Sequence, residues 1–202
     1  MPIPKPPEPQ HPIEVLWQRL RDQQPEDVAR RAAVEREGGA YLVPLLDQTL
    51  RVTPDEERVD GPGGPAGFEP TLVCVQYLLC ARDEPLVGEL VDPKSLTYGD
   101  FFFRGQHELP TDRLTRAFGA RAEAFQAAGA AVGGDAREMG DAAFEFRALP
   151  RLPVTVVYWA ADDEFPARAQ FLFDRTADRQ LPVDALWVLA RVVAKRLAAA
   201  AG

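Results

Sequence analysis

The chain has 202 residues, and its 23 Lys and Arg against 31 Asp and Glu give a formal net charge of −8, an excess of negative charge that repels nucleic acid and anionic lipid and excludes both as primary partners. At this length roughly 70% of the unfolded surface can be buried without staples, so a single domain is expected and its two cysteines need form no disulfide framework. No apolar run approaches the roughly 20 residues of a membrane span and the N-terminus lacks a signal-peptide core, so the expected location is cytoplasmic.

Residues 1–12 hold six prolines and read as an extended, poorly ordered arm, with the single domain spanning 13–202. Ile13, Leu16, Trp17 and Leu20 then recur at helical spacing. A second helix is expected to start at Pro25, with Glu26 and Asp27 complementing its dipole, and to end at Gly38 and Gly39. Residues 41–46 and 49–52 read as short strands joined near Asp47 and Gln48, with Pro44 keeping the first at an edge or bulge. DGPGGPAGFEP, residues 60–70, is by composition a loop, and it lacks the Gly-Lys-Ser/Thr ending of a phosphate-binding loop.

PTLVCVQYLLCA reads as a helix with Pro70 in its first turn. Cys74 and Cys80 are six residues apart, about 240° around the helix, so they point to different faces and share neither a metal nor a bridge. They read as two small apolar residues. Residues 85–110 are rich in aromatics and turns but lack a clean period, and read as irregular. Pro110 and Thr111 open a long helix lined by Leu114, Phe118, Ala122 and Phe125, which fades out at Gly133 and Gly134.

A short strand is expected over residues 143–147. In the next strand, residues 154–160, Val154, Val156 and Tyr158 alternate with Thr155, Val157 and Trp159. Both faces are therefore apolar or β-branched, which marks an interior strand with Trp159 largely buried. Residues 167–173 alternate as a half-buried strand, and a hairpin joins the two through Asp162, Asp163 and Glu164. The last helix covers residues 183–199, with Leu186, Leu189, Ala190, Val193 and Leu197 as its inner stripe. Neighbouring hairpins with helices before, between and after them argue for an α+β fold, an antiparallel sheet packed by helices.

Three features carry candidate chemistry. The adjacent acids Asp162, Asp163 and Glu164 repel one another, so their turn is either solvated and capped by its own side chains or supplies oxygen ligands to Mg²⁺ or Ca²⁺. His107 beside Glu108 could ligate a metal or shuttle a proton. Phe101, Phe102 and Phe103 cannot all enter one core. At least one of them is therefore exposed, lines a pocket or meets a partner, and Arg104 beside them could receive an anion. Ser95, the only serine, sits in PKSL without a nucleophile-elbow pattern, and neither cysteine has a neighbouring cation in sequence.

The blocks VQYLLCA, GELVDPKSL, FFFRGQHELPTDRLTRAFG and GDAAFEFRALPRLPVTVVYWAADDEFPARAQFLFD, followed by a closing helix after LP, resemble in their order the uncharacterised prokaryotic family called domain of unknown function 3786. The resemblance runs from about Tyr41 to Leu197 and is most specific in the last block. It implies a setting in low-potential, corrinoid or iron–sulfur metabolism of anaerobes, where some relatives are fused to a small cysteine-rich iron–sulfur domain. The family has no assigned activity, so the resemblance transfers no catalytic residue and no cofactor.

Two functional expectations follow. The first is a domain that binds a small molecule or protein partner through Phe101, Phe102, Phe103, Arg104, His107 and Glu108 together with the acidic turn. The second is a metal-dependent enzyme with Asp162, Asp163 and Glu164 as ligands and His107 as acid or base, which requires these groups to converge on one concave site.

Overall fold

A computed structural model describes residues 13–201. The proline-rich arm expected over residues 1–12 lies outside the described residues.

Helix α1 (Ile13–Arg21) buries Leu16, Trp17 and Leu20, the side chains picked out by its helical spacing. Helix α2 (Pro25–Ala32) is shorter than expected, because Ala33 enters the left-handed region at φ 52° and the Val34 N–H returns to the Ala29 carbonyl at 3.0 Å. The chain then runs as strand β1 (Glu35–Glu37), turns through Gly38 and Gly39 at φ 53° and 82°, and pairs with β2 (Ala40–Leu45). Two central residues at positive φ are what a tight two-residue hairpin requires. Glu35–Glu37 offers no apolar face to hold a further helical turn.

Strands β3 (Gln48–Thr53), β4 (Arg58–Gly61) and β5 (Gly64–Pro65) complete a five-stranded antiparallel meander in chain order. Part of the stretch expected to be a loop is thus a small hairpin, with Gly61 opposite Gly64 across Pro62 and Gly63. Pro44 lies past the reach of β1, whose pairing with β2 stops at Leu42, so its missing N–H interrupts no ladder on that side.

Helix α3 (Phe68–Cys80) follows, with Cys74 buried, Cys80 half-buried and both thiols free. The irregular stretch after it contains strand β6 (Leu90–Val91) and the short helix α4 (Gly99–Phe102). The single long helix expected next is two, α5 (Thr111–Phe118) and α6 (Ala122–Ala131), broken where Gly119 adopts φ 56°. The Gly119 carbonyl accepts the Tyr158 hydroxyl at 2.6 Å and the Ala161 N–H at 3.2 Å, so the corner is tied to the sheet beneath it.

The second antiparallel sheet is built from β7 (Asp135–Arg137), β8 (Ala142–Leu149), β9 (Leu152–Trp159) and β10 (Arg168–Asp174), with β6 on the far edge of β10. The strands either side of the acidic turn pair as expected, from Arg168 opposite Trp159 to Phe173 opposite Val154. Phe144, Val156 and Phe171 line up across three strands and, with Tyr158, join the core that the helices cover. Phe125 of α6 stacks on Tyr158 at 4.8 Å. A Cβ at Gly129 would fall 2.4 Å from the Phe144 ring, so that glycine lets α6 lie against β8. Each such buried aromatic or aliphatic side chain contributes about 1.5–3 kcal/mol.

On the other face of β9, Thr155 and Val157 are buried, whereas Trp159, expected to be largely buried, is only half-buried. It closes the end of the strand, where the Arg168 guanidinium covers its ring at 4.5 Å. Helices α7 (Ala177–Gln180) and α8 (Val183–Ala199) end the described chain. All five residues of the α8 inner stripe are fully buried, and α8 packs on α3 and α5. The fold is α+β, with two antiparallel sheets where the strand pattern predicted one.

Candidate functional site

The three consecutive phenylalanines diverge. Phe103 is buried, Phe102 half-buried and Phe101 66% exposed. Phe102 stacks on His107 at 4.5 Å, and His107 meets the Trp187 ring of α8 edge-on at 5.4 Å. The Trp187 indole N–H donates to the Glu108 carbonyl at 3.0 Å. The segment is thereby stapled to α8 through the His107 ring and the Glu108 backbone. Arg104 is paired with Asp100 one helical turn earlier, at 2.5 Å.

The acidic turn is organised by one of its own side chains. Oδ1 of Asp162 accepts the Glu164 N–H at 2.9 Å and the Phe165 N–H at 2.7 Å, and these two bonds hold its carboxyl below the usual carboxylate range. Asp162, Asp163 and Glu164 are all exposed. Among the described residues, no group of three His, Cys, Asp or Glu is placed to hold a metal ion, and the ring contacts of His107 are to Phe102 and Trp187. The structure therefore gathers Phe102, Phe103, His107 and Glu108 beside α8 and leaves the acids on a separate hairpin.

A larger concavity lies elsewhere. A cleft of about 1150 Å³ opens between α2, residues 79–84 at and beyond the end of α3, residues 95–98 and the α7–α8 corner. One wall is fixed by Arg31, which spends its guanidinium on Asp27 at 2.8 Å, the Ala81 carbonyl at 2.7 Å and Gln23 at 2.6 Å. The lining is further held by the Thr97 N–H on Asp178 at 2.9 Å and by the Arg82 N–H on the buried Gln180 side chain at 2.9 Å. Arg175, also in the lining, makes two bonds of 2.5 Å to Glu89.

Within this lining Arg82 and Arg179 share one carboxylate. Nη1 of Arg82 is 3.8 Å from Glu84 and Nη1 of Arg179 is 3.3 Å from it. A guanidinium carries five donors in a planar fork suited to a bidentate anion, and Glu84 satisfies neither arginine in that way. The two side chains stay 61% and 58% exposed.

Cys80 also lines the cleft. Burial pushes its thiol up despite the pull of Arg19, Arg31 and Arg82, so it is protonated at neutral pH and a poor nucleophile. Burial alone pushes the Cys74 thiol up to about 12.

Sequence reasoning missed this cleft. Its only signal was the alternation of charge in CARDEP and in DRTADRQ, two segments that no motif connects. The family described as domain of unknown function (DUF3786) matches residues 24–196. No curated protein and no solved structure matches the chain.

Proposed function

We propose, for a chain that belongs to the DUF3786 family, a cytoplasmic single-domain binding protein whose cleft takes up a small polar molecule bearing a carboxylate or phosphate. The observation that carries this reading is the sharing of Glu84 between Arg82 and Arg179. Each guanidinium reaches a different oxygen of the one carboxylate, which leaves N–H donors of both at a cleft large enough for a metabolite, in a lining of five arginines and five acids. Exposed ion pairs are worth only about 0.2–1 kcal/mol, so an incoming anion displaces or bridges Glu84 at little cost. Tyr98 lines the cleft, and the segment from Phe101 to Glu108, docked on α8, supports that wall.

The alternative is a metal-dependent enzyme with Asp162, Asp163 and Glu164 as ligands and His107 as acid or base. It has less to rest on, because Asp162 spends an oxygen on its own turn and His107 is engaged with Phe102 and Trp187. A role accessory to corrinoid or iron–sulfur metabolism rests on the family resemblance alone.

The test is isothermal titration of the full chain with citrate and with inorganic phosphate. Saturable binding by the wild type is expected, weakened by about tenfold or more when Arg82→Gln and Arg179→Gln are combined. Equal binding by both proteins, or none by the wild type, overturns the reading.

A further inference from the structure

We propose that the ligand of the cleft carries a flat aromatic ring beside its anionic group, and that Tyr98 is the residue that selects the ring. This inference rests on the reading of the cleft as an anion site and adds a specificity to it.

Among the described residues, Tyr98 is the one aromatic side chain in the cleft lining. It sits in the left-handed region, at φ 63° and ψ 2°, where a bulky L-residue is a genuine outlier. Its neighbours hold it there. The Thr97 N–H is fixed on Asp178 at 2.9 Å, the Gly99 N–H on the Leu96 carbonyl at 2.9 Å and the Phe102 N–H on the Tyr98 carbonyl at 3.0 Å. A Cβ at Gly99 would fall 2.0 Å from the Pro93 carbonyl oxygen, so the backbone after Tyr98 lies directly against the preceding turn.

Elsewhere in the chain, long side chains on such backbone are engaged by the protein. Leu46, at φ 56°, packs against the core, and Glu57, at φ 50°, pairs with Arg21 at 2.9 Å. Tyr98 does neither. It is 44% exposed, and among the described residues its ring meets no other ring or cation and its hydroxyl makes no hydrogen bond. Glycine at this position would relieve the strain and give up no such interaction. A strained residue whose aromatic ring the protein itself leaves unused, in the lining of a cleft, is placed for what enters the cleft.

The polar partner lies beside it. Asp178, which fixes Thr97, directly precedes Arg179 in α7, so Tyr98 and Arg179 flank one hydrogen bond. Arg179 gives Glu84 a single N–H at 3.3 Å, whereas Arg82, 3.8 Å from the same carboxylate, is beyond hydrogen-bond reach of it. An aryl phosphate or carboxylate can lay its ring against Tyr98, stacked or edge-on, while its oxygens take those donors. A saturated ring of the same size has no π face, and being the more hydrophobic it would bind better to a wall that was merely apolar.

Phenyl phosphate, cyclohexyl phosphate and inorganic phosphate are the probes, titrated calorimetrically into the full chain. Phenyl phosphate is expected to bind about tenfold tighter than cyclohexyl phosphate. Tyr98→Phe should keep that preference and Tyr98→Gly should erase it. The glycine variant should also melt no lower than wild type, because it relieves the backbone. Equal affinity for the two ring phosphates in the wild type, or a preference that survives in Tyr98→Gly, overturns this inference alone, and inorganic phosphate binding that depends on Arg82 and Arg179 leaves the anion reading standing. Absence of binding by all three probes overturns both. A clear fall in the melting temperature of Tyr98→Gly would show that packing holds the ring, which overturns the inference as well.

Discussion

Tyr77 and Arg151 meet through a buried phenol: the Tyr77 hydroxyl accepts the Arg151 backbone N–H at 3.1 Å and donates its own proton to the Ala32 carbonyl at 2.8 Å. One side-chain atom thus joins α3, the end of α2 and the β8–β9 turn. Burial raises the Tyr77 phenol well above its ordinary value, so it stays a protonated donor at neutral pH and well above it. Tyr77→Phe keeps the ring but strands a carbonyl and an amide, a loss of about 1–3 kcal/mol. Urea unfolding at pH 7 measures it, and a midpoint equal to wild type would contradict this account.

Asp174 presents the same economy with a charge. It is 3% exposed, and its carboxylate accepts the Thr176 hydroxyl at 2.6 Å and the N–H groups of Gly88 at 2.7 Å, Thr176 at 3.0 Å and Val87 at 3.3 Å. Burial works to raise its pKa, but these donors together outweigh it and hold the carboxyl below its usual range. A depressed folded pKa means that the stabilisation is fully present above the unfolded value, about 3.9, and is lost as pH falls through the folded one. Asp174→Asn should therefore lower stability by about 1–3 kcal/mol at pH 7, with the gap to wild type narrowing toward pH 3. Denaturant unfolding at the two pH values checks both the size and the trend.

Gly119→Ala tests the corner between α5 and α6. At φ 56° and ψ −119° the backbone occupies a region closed to residues with a Cβ, so the variant should lose about 1–3 kcal/mol. A thermal shift of less than a degree would show that the corner relaxes freely.

That corner also marks where reading the sequence stops working. The apolar stripe Leu114, Phe118 and Phe125 is buried as its spacing implies, because burial follows periodicity. The break between α5 and α6 does not, because it depends on the Tyr158 hydroxyl reaching the Gly119 carbonyl from a strand 39 residues away. Likewise β9 and β10 were legible from alternation, but α2 was overextended, since its stop is a left-handed alanine, which carries no compositional mark. The divergence of Phe101, Phe102 and Phe103 follows from local geometry alone. The pairing of Arg179 with Glu84 spans 95 residues, and no spacing rule reaches across the whole second sheet to assemble it.

The acidic turn separates the binding reading from the enzymatic one. Asp162 makes two backbone bonds that Asp163 and Glu164 do not share, so the three acids should respond differently to substitution. Asp162→Ala should lower the melting temperature at pH 7, and because the folded carboxyl is held below its ordinary value the difference should shrink only as pH falls below the unfolded value, about 3.9, and through the folded one. The double variant Asp163→Asn with Glu164→Gln removes only solvated charge and should change stability by about 0.5 kcal/mol or less. Calorimetric titration with Mg²⁺, Mn²⁺ and Ca²⁺ should then give the same weak response for the double variant and the wild type. If the wild type instead binds one of these ions tightly and gains thermal stability with it, and the double variant does neither, the turn is a metal site. The enzymatic reading would then take precedence over the cleft.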